Sequence, residues 1–335
     1  MTPHQDFAIA EASQVGAARR AAARLAADHG YDEVACGRIG IVVTELGNNL
    51  ARHATGGRLL VATHRGENDC IDVLAIDGGP GMPDVERCLT DGYSTAGTPG
   101  TGLGAVRRLS DEFSIFSQVD RGTVVFGRIA ATGTSSAASR NADRFQVGAV
   151  CLAAPGEAVS GDAWDFVSDG ARAALMVADG LGHGPHAAEA AGAALSVFAA
   201  QHDLGPAQVL GLAHDALRST RGAAVAMAVL DADAGEVRFA GAGNIAGRLI
   251  SGVEDRSLLS QHGTVGLQIR RLQDVTYGWG DHAILVLHSD GVVTRWSLAQ
   301  AAGLLACHPS VIAGWVVRDH VRGRDDVTVV VLKRR

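Results

Sequence analysis

The stretch Val177-Ala178-Asp179-Gly180-Leu181-Gly182-His183-Gly184 closes an apolar run that begins at Ala173, so a carboxylate stands where a buried strand ends. Three glycines in the next five residues leave backbone amides and carbonyls uncovered by side chains, and residues 187–200 then read as a helix. Strand, Asp-Gly loop and helix is the shape of many ion and phosphate sites. It is also the shape of an ordinary tight turn, and the rest of the chain has to decide between them.

Working outward, residues 145–151 alternate as a strand, and Ser160-Gly161-Asp162-Ala163-Trp164-Asp165 places another acid behind a glycine. Helices are expected from Pro185 and over 206–218, then a meander of strands at 223–230, 237–240 and 247–250. A buried strand at 283–288 runs into Ser289-Asp290-Gly291. Two helices, at 297–305 and 310–320, precede Gly323-Arg324-Asp325-Asp326 and a final strand at 329–332. Asp162, Asp179, Asp290 and the pair Asp325-Asp326 thus sit at strand ends. Any one is an ordinary turn residue, but converging carboxylates with little lysine or arginine nearby repel one another unless cations neutralise them. Oxygen-only ligands suit Mg²⁺ or Mn²⁺, and two such ions can activate a water and clamp a phosphate.

In order and character, "SGD", "VADGLGHG", "LHSDGV" and "GRDDVTVVVL" resemble the metal-dependent PPM-type serine/threonine phosphatases, nearest the bacterial SpoIIE/RsbX branch, over residues 145–332. The resemblance implies that Asp179 bridges two metals and Gly180 adds its carbonyl. Asp162, Asp290 and Asp325 complete the shell, with Asp326 as the alternative to Asp325. It offers His183 for protonating the leaving group, although a histidine in a glycine loop is as often a structural hydrogen-bonding residue. No phosphate-binding arginine is evident, which leaves substrate docking open.

The first half carries a different pattern. An alanine-rich amphipathic helix spans 11–29, and a second, capped by Asp32, runs to His53 with Glu45 and Asn49 one turn apart on one face. That pair alone reads equally as a solvated polar stripe. Two β-branched runs, 58–64 and 70–76, form a hairpin whose second strand ends at Asp77-Gly78-Gly79-Pro80-Gly81. Gly100-Thr101-Gly102-Leu103-Gly104 then opens a helix, where glycine amides and the helix dipole favour phosphate. Strands at 113–117 and 123–129 close the unit.

With "TELGNNLARHATGG", "DGGPGMPD", "DGYSTAGTPGTGLGAVRRLSDEFSI" and Gly122-Thr123 in this order, residues 8–130 resemble the GHKL ATP-binding fold, and within it the anti-sigma and switch serine kinases of the RsbT/RsbW type. The resemblance implies that Asn49 holds Mg²⁺ on the triphosphate and that Glu45 is the general base or orients the acceptor serine. Asp77 accepts from the adenine amino group, with Gly79 and Gly81 letting the ring lie on the backbone. Gly100, Gly102 and Gly104 wrap the phosphates, and Thr123 supports the adenine end. Asn48 duplicates the amide beside Asn49, which shares its face with Glu45.

Residues 131–142 are small, polar and aperiodic, as flexible linkers are. The expectation is therefore an α+β chain: a GHKL α/β sandwich over 1–130, a linker over 131–142, and a PPM β-sandwich flanked by helices over 143–335. At 335 residues, with 47% hydrophobic and 19% charged residues, two domains with real cores are allowed. A net charge of −7 and 4% aromatics argue against a nucleic-acid surface. Five dispersed cysteines, no signal-like start and no long apolar run read as a cytoplasmic protein without a membrane span. The implied function is a bifunctional switch enzyme, an ATP-dependent serine kinase joined to the opposing phosphatase. It would act on a STAS-domain antagonist, and its kinase half could bind a downstream regulator. The other reading keeps the first half as an ATP-sensing module without transfer activity.

Overall fold

Both β-branched runs of the first half become central strands because each supplies apolar side chains to two faces. The computed structural model describes residues 2–64, 70–90, 102–131 and 144–335, and these divide into two compact units. The first unit comprises Met1–Arg140 together with Ala301–Arg318, and the second Asn141–Gln300 with Asp319–Arg335.

In chain order the first unit contains β1 (Gln5–Ala8), α1 (Ala12–Asp28), α2 (Glu33–His53), β2 (Arg58–His64), β3 (Cys70–Asp77), α3 (Val85–Cys88), α4 (Gly102–Leu109), β4 (Glu112–Gln118) and β5 (Gly122–Ala130). Asp32 caps α2 as its sequence position predicts, accepting from Ala35 N at 2.8 Å. The sheet runs β1-β2-β3-β5-β4 with every pair antiparallel. β1 is an edge strand that was not expected from the sequence.

One face of this sheet, through Leu59, Val61, Val73, Ala75 and Val125, packs with the apolar stripes of α1 and α2 and with Val106 of α4. The alternate residues Leu60, Leu74, Ile76, Val124 and Phe126 point the other way and are also buried. What covers them is the segment Ala301–Arg318. Trp315 sets its edge against Phe116, with ring centroids 4.7 Å apart, and His308 stacks on Phe126 at 4.1 Å. A Cβ on Gly314 would stand 2.9 Å from Leu74. On the same face the cross-strand pair Asp72 and Arg128 forms a buried two-pronged ion pair at 2.6 and 2.8 Å, with Glu112 3.5 Å from the guanidinium.

The second unit contains β6 (Phe145–Leu152), β7 (Asp162–Asp169), β8 (Arg172–Gly180), α5 (Pro185–Gln201), α6 (Pro206–Ala216), β9 (Ala223–Asp231), β10 (Glu236–Ala242), β11 (Ala246–Ile250), β12 (Asp255–Leu258), β13 (Gly263–Thr264), β14 (Gln268–Ile269), β15 (Val275–Gly278) and β16 (Ile284–His288). Then come α7 (Pro309–His320), most of which lies in the segment already placed with the first unit, and β17 (Val327–Arg334). Two five-stranded sheets result, β15-β10-β9-β8-β7 and β12-β11-β16-β17-β6. Alanine-rich α5 and α6 lie on the first of them, where Ala190, Ala194, Phe198 and Leu210 meet Met176, Val225 and Met227. Trp279, just after β15, stacks on Phe145 of β6 in the other sheet.

Two expectations are corrected. The strand at 247–250 does not continue the meander of β9 and β10; as β11 it crosses to the other sheet and pairs with β12 and β16. No α-helix forms over 297–305; only a single 3₁₀ turn, Leu304–Ala306, follows Gly303, whose φ of +86° is outside the helical region. Among the described residues no helix is long and apolar enough to cross a membrane.

Candidate functional site

Two sets of predicted residues come together, one in each unit. In the first, α2 turns Glu45 and Asn49 toward the start of α4. A Cβ on Gly102 would stand 2.8 Å from Glu45 Oε2 and 3.8 Å from Asn49 Oδ1, so the glycine leaves these two polar heads open. Asn49, rather than its neighbour Asn48, is among the groups nearest Gly102. Gly104 is buried two residues on, in α4. Gly100 lies outside the described residues.

Asp77 ends β3 opposite Thr123 of β5. Its Oδ1 accepts from Gly79 N at 2.7 Å, and its backbone oxygen accepts from Arg318 Nη1 at 3.3 Å. Burial pushes the Asp77 carboxyl above its ordinary value, with the Gly79 amide and the Arg318 charge pulling the other way. Gly79 and Gly81 leave no room for side chains: a Cβ would meet His53 O at 2.8 Å in one case and Gln118 O at 2.1 Å in the other. Thr123 shares a hydrogen bond with Ser117 at 2.8 Å.

In the second unit, antiparallel pairing of β7 with β8 sets Asp162 directly across from Asp179. Burial raises both carboxyls. For Asp179 the neighbouring Asp162, Asp290, Asp325 and Asp326 add to the rise in that order. Ser289 holds Asp162 in place, donating to Oδ2 at 2.6 Å while accepting from Thr328 N at 2.9 Å. Asp162 Oδ1 is buried without any hydrogen-bond partner. Asn244 donates to Asp290 Oδ2 at 2.8 Å.

The tandem acids behave differently from one another. Asp326 is buried, and its two oxygens accept from Ala154 N and Gly161 N at 2.8 and 2.9 Å, so it fastens the loop that precedes Asp162. Asp325 is exposed, and one of its oxygens accepts from Asp326 N. Gly180 is required by helix packing, since a Cβ there would stand 2.0 Å from Ala187 O. His183 meets Glu157, Nδ1 to Oε1 at 2.6 Å, and is mostly exposed.

Among the described residues no three His, Cys, Asp or Glu side chains are already drawn into metal-ligating geometry. The acids are neighbours electrostatically rather than as a closed shell. Their chemistry still fits hard divalent cations: every donor is an oxygen, the carboxylates raise one another, and the unpartnered Asp162 oxygen is a buried acceptor with a ligand position to give.

Sequence reading missed Ser289, Asn244 and Glu157. Ser289 could have been suspected, because it stands between the buried strand and Asp290. Asn244 and Glu157 lie 46 and 26 residues from the groups they hold, so no spacing announces them.

Residues 8–128 match the histidine kinase-like ATPase domain, and residues 169–335 match the family described as stage II sporulation protein E, SpoIIE. The molecule is thus of the enzyme class in which a kinase-like ATPase domain is joined to a PP2C-type phosphatase domain. Over 111 residues it is 36% identical to the serine/threonine-protein kinase RsbT of Bacillus subtilis (strain 168), covering 32% of this chain and 83% of that one. The chain belongs to the RsbT family, continued here by a SpoIIE-type domain. Among solved structures, a chain described under "The bacterial stressosome: a modular system that has been adapted to control secondary messenger signaling" is similar. Its TM-score is 0.54 at 28% identity, covering 57% of this chain and all of that one. RsbX in complex with magnesium shares the fold, with a TM-score of 0.51 at 18% identity over 57% of this chain and 96% of that one.

Proposed function

We propose that the chain is a bifunctional switch enzyme in a partner-switching pathway. Its ATP-dependent serine kinase and its metal-dependent phosphoserine/phosphothreonine phosphatase would act in opposition on a STAS-domain antagonist. The observation that carries the reading is the cross-strand pair Asp162–Asp179, with Asp290 and Asp325 near enough to raise the Asp179 carboxyl, on a chain whose other half resembles RsbT.

In the phosphatase half, Asp162, Asp179, Asp290, Asp325 and the Gly180 carbonyl would hold two Mn²⁺ or Mg²⁺ ions. Such ions supply an activated water and neutralise phosphate charge. The protein positions the acids: Ser289 orients Asp162, Asn244 orients Asp290, and Asp326 clamps the Gly161 loop. His183, hydrogen-bonded to Glu157, would give a proton to the leaving serine oxygen.

In the kinase half, Asn49 would hold the Mg²⁺ of ATP, Asp77 would receive the adenine amino group, and Gly100, Gly102 and Gly104 would line the phosphates. Thr123 would support the adenine end. Glu45 stands beside Gly102, where it can orient or deprotonate an acceptor serine. The stressosome relative and RsbT support a partner-switching setting, in which the substrate would be a STAS-domain protein of the cytoplasm.

The experiment is transfer of label from γ-labelled ATP to a purified STAS protein by the wild type and by Asp179→Asn. The variant should accumulate serine-bound label that added wild-type protein removes in Mn²⁺. Label that never reaches serine in the variant would reduce the first half to an ATP-sensing module.

A further inference from the structure

Beside the glycine loop that follows Asp179 stands a cation that the acids do not take up. Pairing of Gly180 with Ala223, and the hydrogen bond from Leu181 N to Gly222 O at 3.0 Å, carry the start of β9 alongside residues 180–182. Arg221 therefore lies beside Gly182, and a Cβ on that glycine would stand 3.4 Å from Arg221 Nη1. Gly182 has φ +87°, a conformation that favours glycine and keeps its Cα face bare under the guanidinium. Its carbonyl oxygen lies 3.4 Å from where a Cβ of Gly161 would be, next to Asp162. One bare glycine thus stands between Arg221 and the loop that presents Asp162.

Among the described residues Arg221 makes no ion pair and no hydrogen bond, and it is exposed. Of the other arginines of this unit, Arg218 pairs with Asp215, Arg248 with Asp255 and Arg334 with Asp281, whereas Arg324, beside Asp325, is exposed like Arg221. Three of the nearby acids have donors of their own, Asp162 in Ser289, Asp290 in Asn244 and Asp326 in two backbone amides. Leu181 and Val159 are exposed on the same loops, giving apolar surface for residues flanking a phosphorylated side chain.

We propose that Arg221 is the docking cation for the substrate's phosphate. A phosphomonoester dianion approaching four carboxylates is repelled until something of opposite charge offsets them, and a guanidinium presents two parallel N–H groups to phosphate oxygens. Arg221 thereby selects phosphomonoesters in an extended, exposed segment, and it acts in binding rather than in bond breaking. This rests on the phosphatase reading above.

The test compares wild type with Arg221→Ala, Arg221→Gln and Arg221→Lys, using p-nitrophenyl phosphate and a phosphoserine peptide in Mn²⁺. Losing a charge-assisted hydrogen bond of this kind should raise KM roughly 10- to 100-fold with kcat within about threefold. The inhibition constant for inorganic phosphate should rise in parallel, and Lys should restore part of the loss. Calorimetric Mn²⁺ affinity should be unchanged. Unchanged KM and phosphate inhibition in active variants overturn the proposal, as does a loss of Mn²⁺ binding in the Gln and Lys variants alike, which would make Arg221 structural. Calorimetry of inorganic phosphate with the Mn²⁺-loaded protein reads the arginine without turnover. Phosphate binding that depends on Arg221 in a wild type without hydrolysis would sink the phosphatase reading and leave the docking role standing. Equal phosphate affinity in wild type and Arg221→Ala would sink the docking role itself.

Discussion

Gly102 leaves room in front of Glu45 and Asn49, and Ser289 holds Asp162 in position. An alanine methyl at Gly102 would meet only the flexible end of Glu45, so the fold should survive Gly102→Ala. The methyl would stand where the phosphates are proposed to lie, however, and should cost at least about tenfold in ATP affinity, some 1.4 kcal/mol. Titration with a fluorescent ATP analogue checks this, with circular dichroism as the control. Ser289→Ala removes the donor to a buried carboxylate and the acceptor for Thr328 N. It should destabilise the second unit by about 1–3 kcal/mol in urea unfolding and weaken Mn²⁺ binding; a variant as stable as wild type would show that Ser289 is dispensable. At this scale the acids were legible in the sequence, because each ends or begins a strand beside glycine. Their supports were not, because a hydrogen bond across 127 residues, such as Ser289 to Asp162, leaves no periodic trace.

The segment Ala301–Arg318 shows what local pattern cannot convey about an element. Its Ala- and Leu-rich composition suggests helix from 297, yet left-handed Gly303 interrupts the run, and the chain turns until α7 begins at Pro309. What fixes this segment is tertiary: Trp315 on Phe116, and His308 between Phe126 and Glu112. Trp315→Ala should destabilise the first unit by about 3–5 kcal/mol, as loss of a large buried aromatic does, measured by chemical unfolding. His308 accepts from Ser310 N through Nδ1, so Nε2 carries the proton of the neutral ring and faces Glu112 Oε2 at 3.2 Å, off the line of a good hydrogen bond. Burial lowers its pKa from 6.5 to about 4, with Glu112 opposing. Between those values the unfolded chain binds the proton and the folded one does not, so stability falls as pH falls from about 6.5 to 4. The contribution is roughly 3 kcal/mol at most. Unfolding curves at pH 7, 5.5 and 4.5 should show this slope in wild type and a shallower one in His308→Phe; equal slopes would rule it out.

For the whole molecule, the two fold families were legible because their motifs follow one another in order, and residues 131–142 read as the place to divide the chain. The covering of the first sheet was not legible, because nothing in residues 1–130 names a partner from residue 301 onward. A fragment of residues 1–140 should therefore expose Leu74, Ile76, Val124 and Phe126, bind a hydrophobic dye, and unfold at lower denaturant than the first unit of the intact chain. A fragment as stable as the intact unit, and dye-negative, would show that the second face needs no cover.

That discontinuity also bears on how the protein is made. Ribosomes release polypeptide from the N-terminus at about 5–20 residues per second, so the 161 positions from Arg140 to Ala301 take on the order of ten to thirty seconds to appear. Throughout that interval the nascent first sheet has an uncovered apolar face and cannot be finished. Its last wall arrives only after most of the second unit has been made.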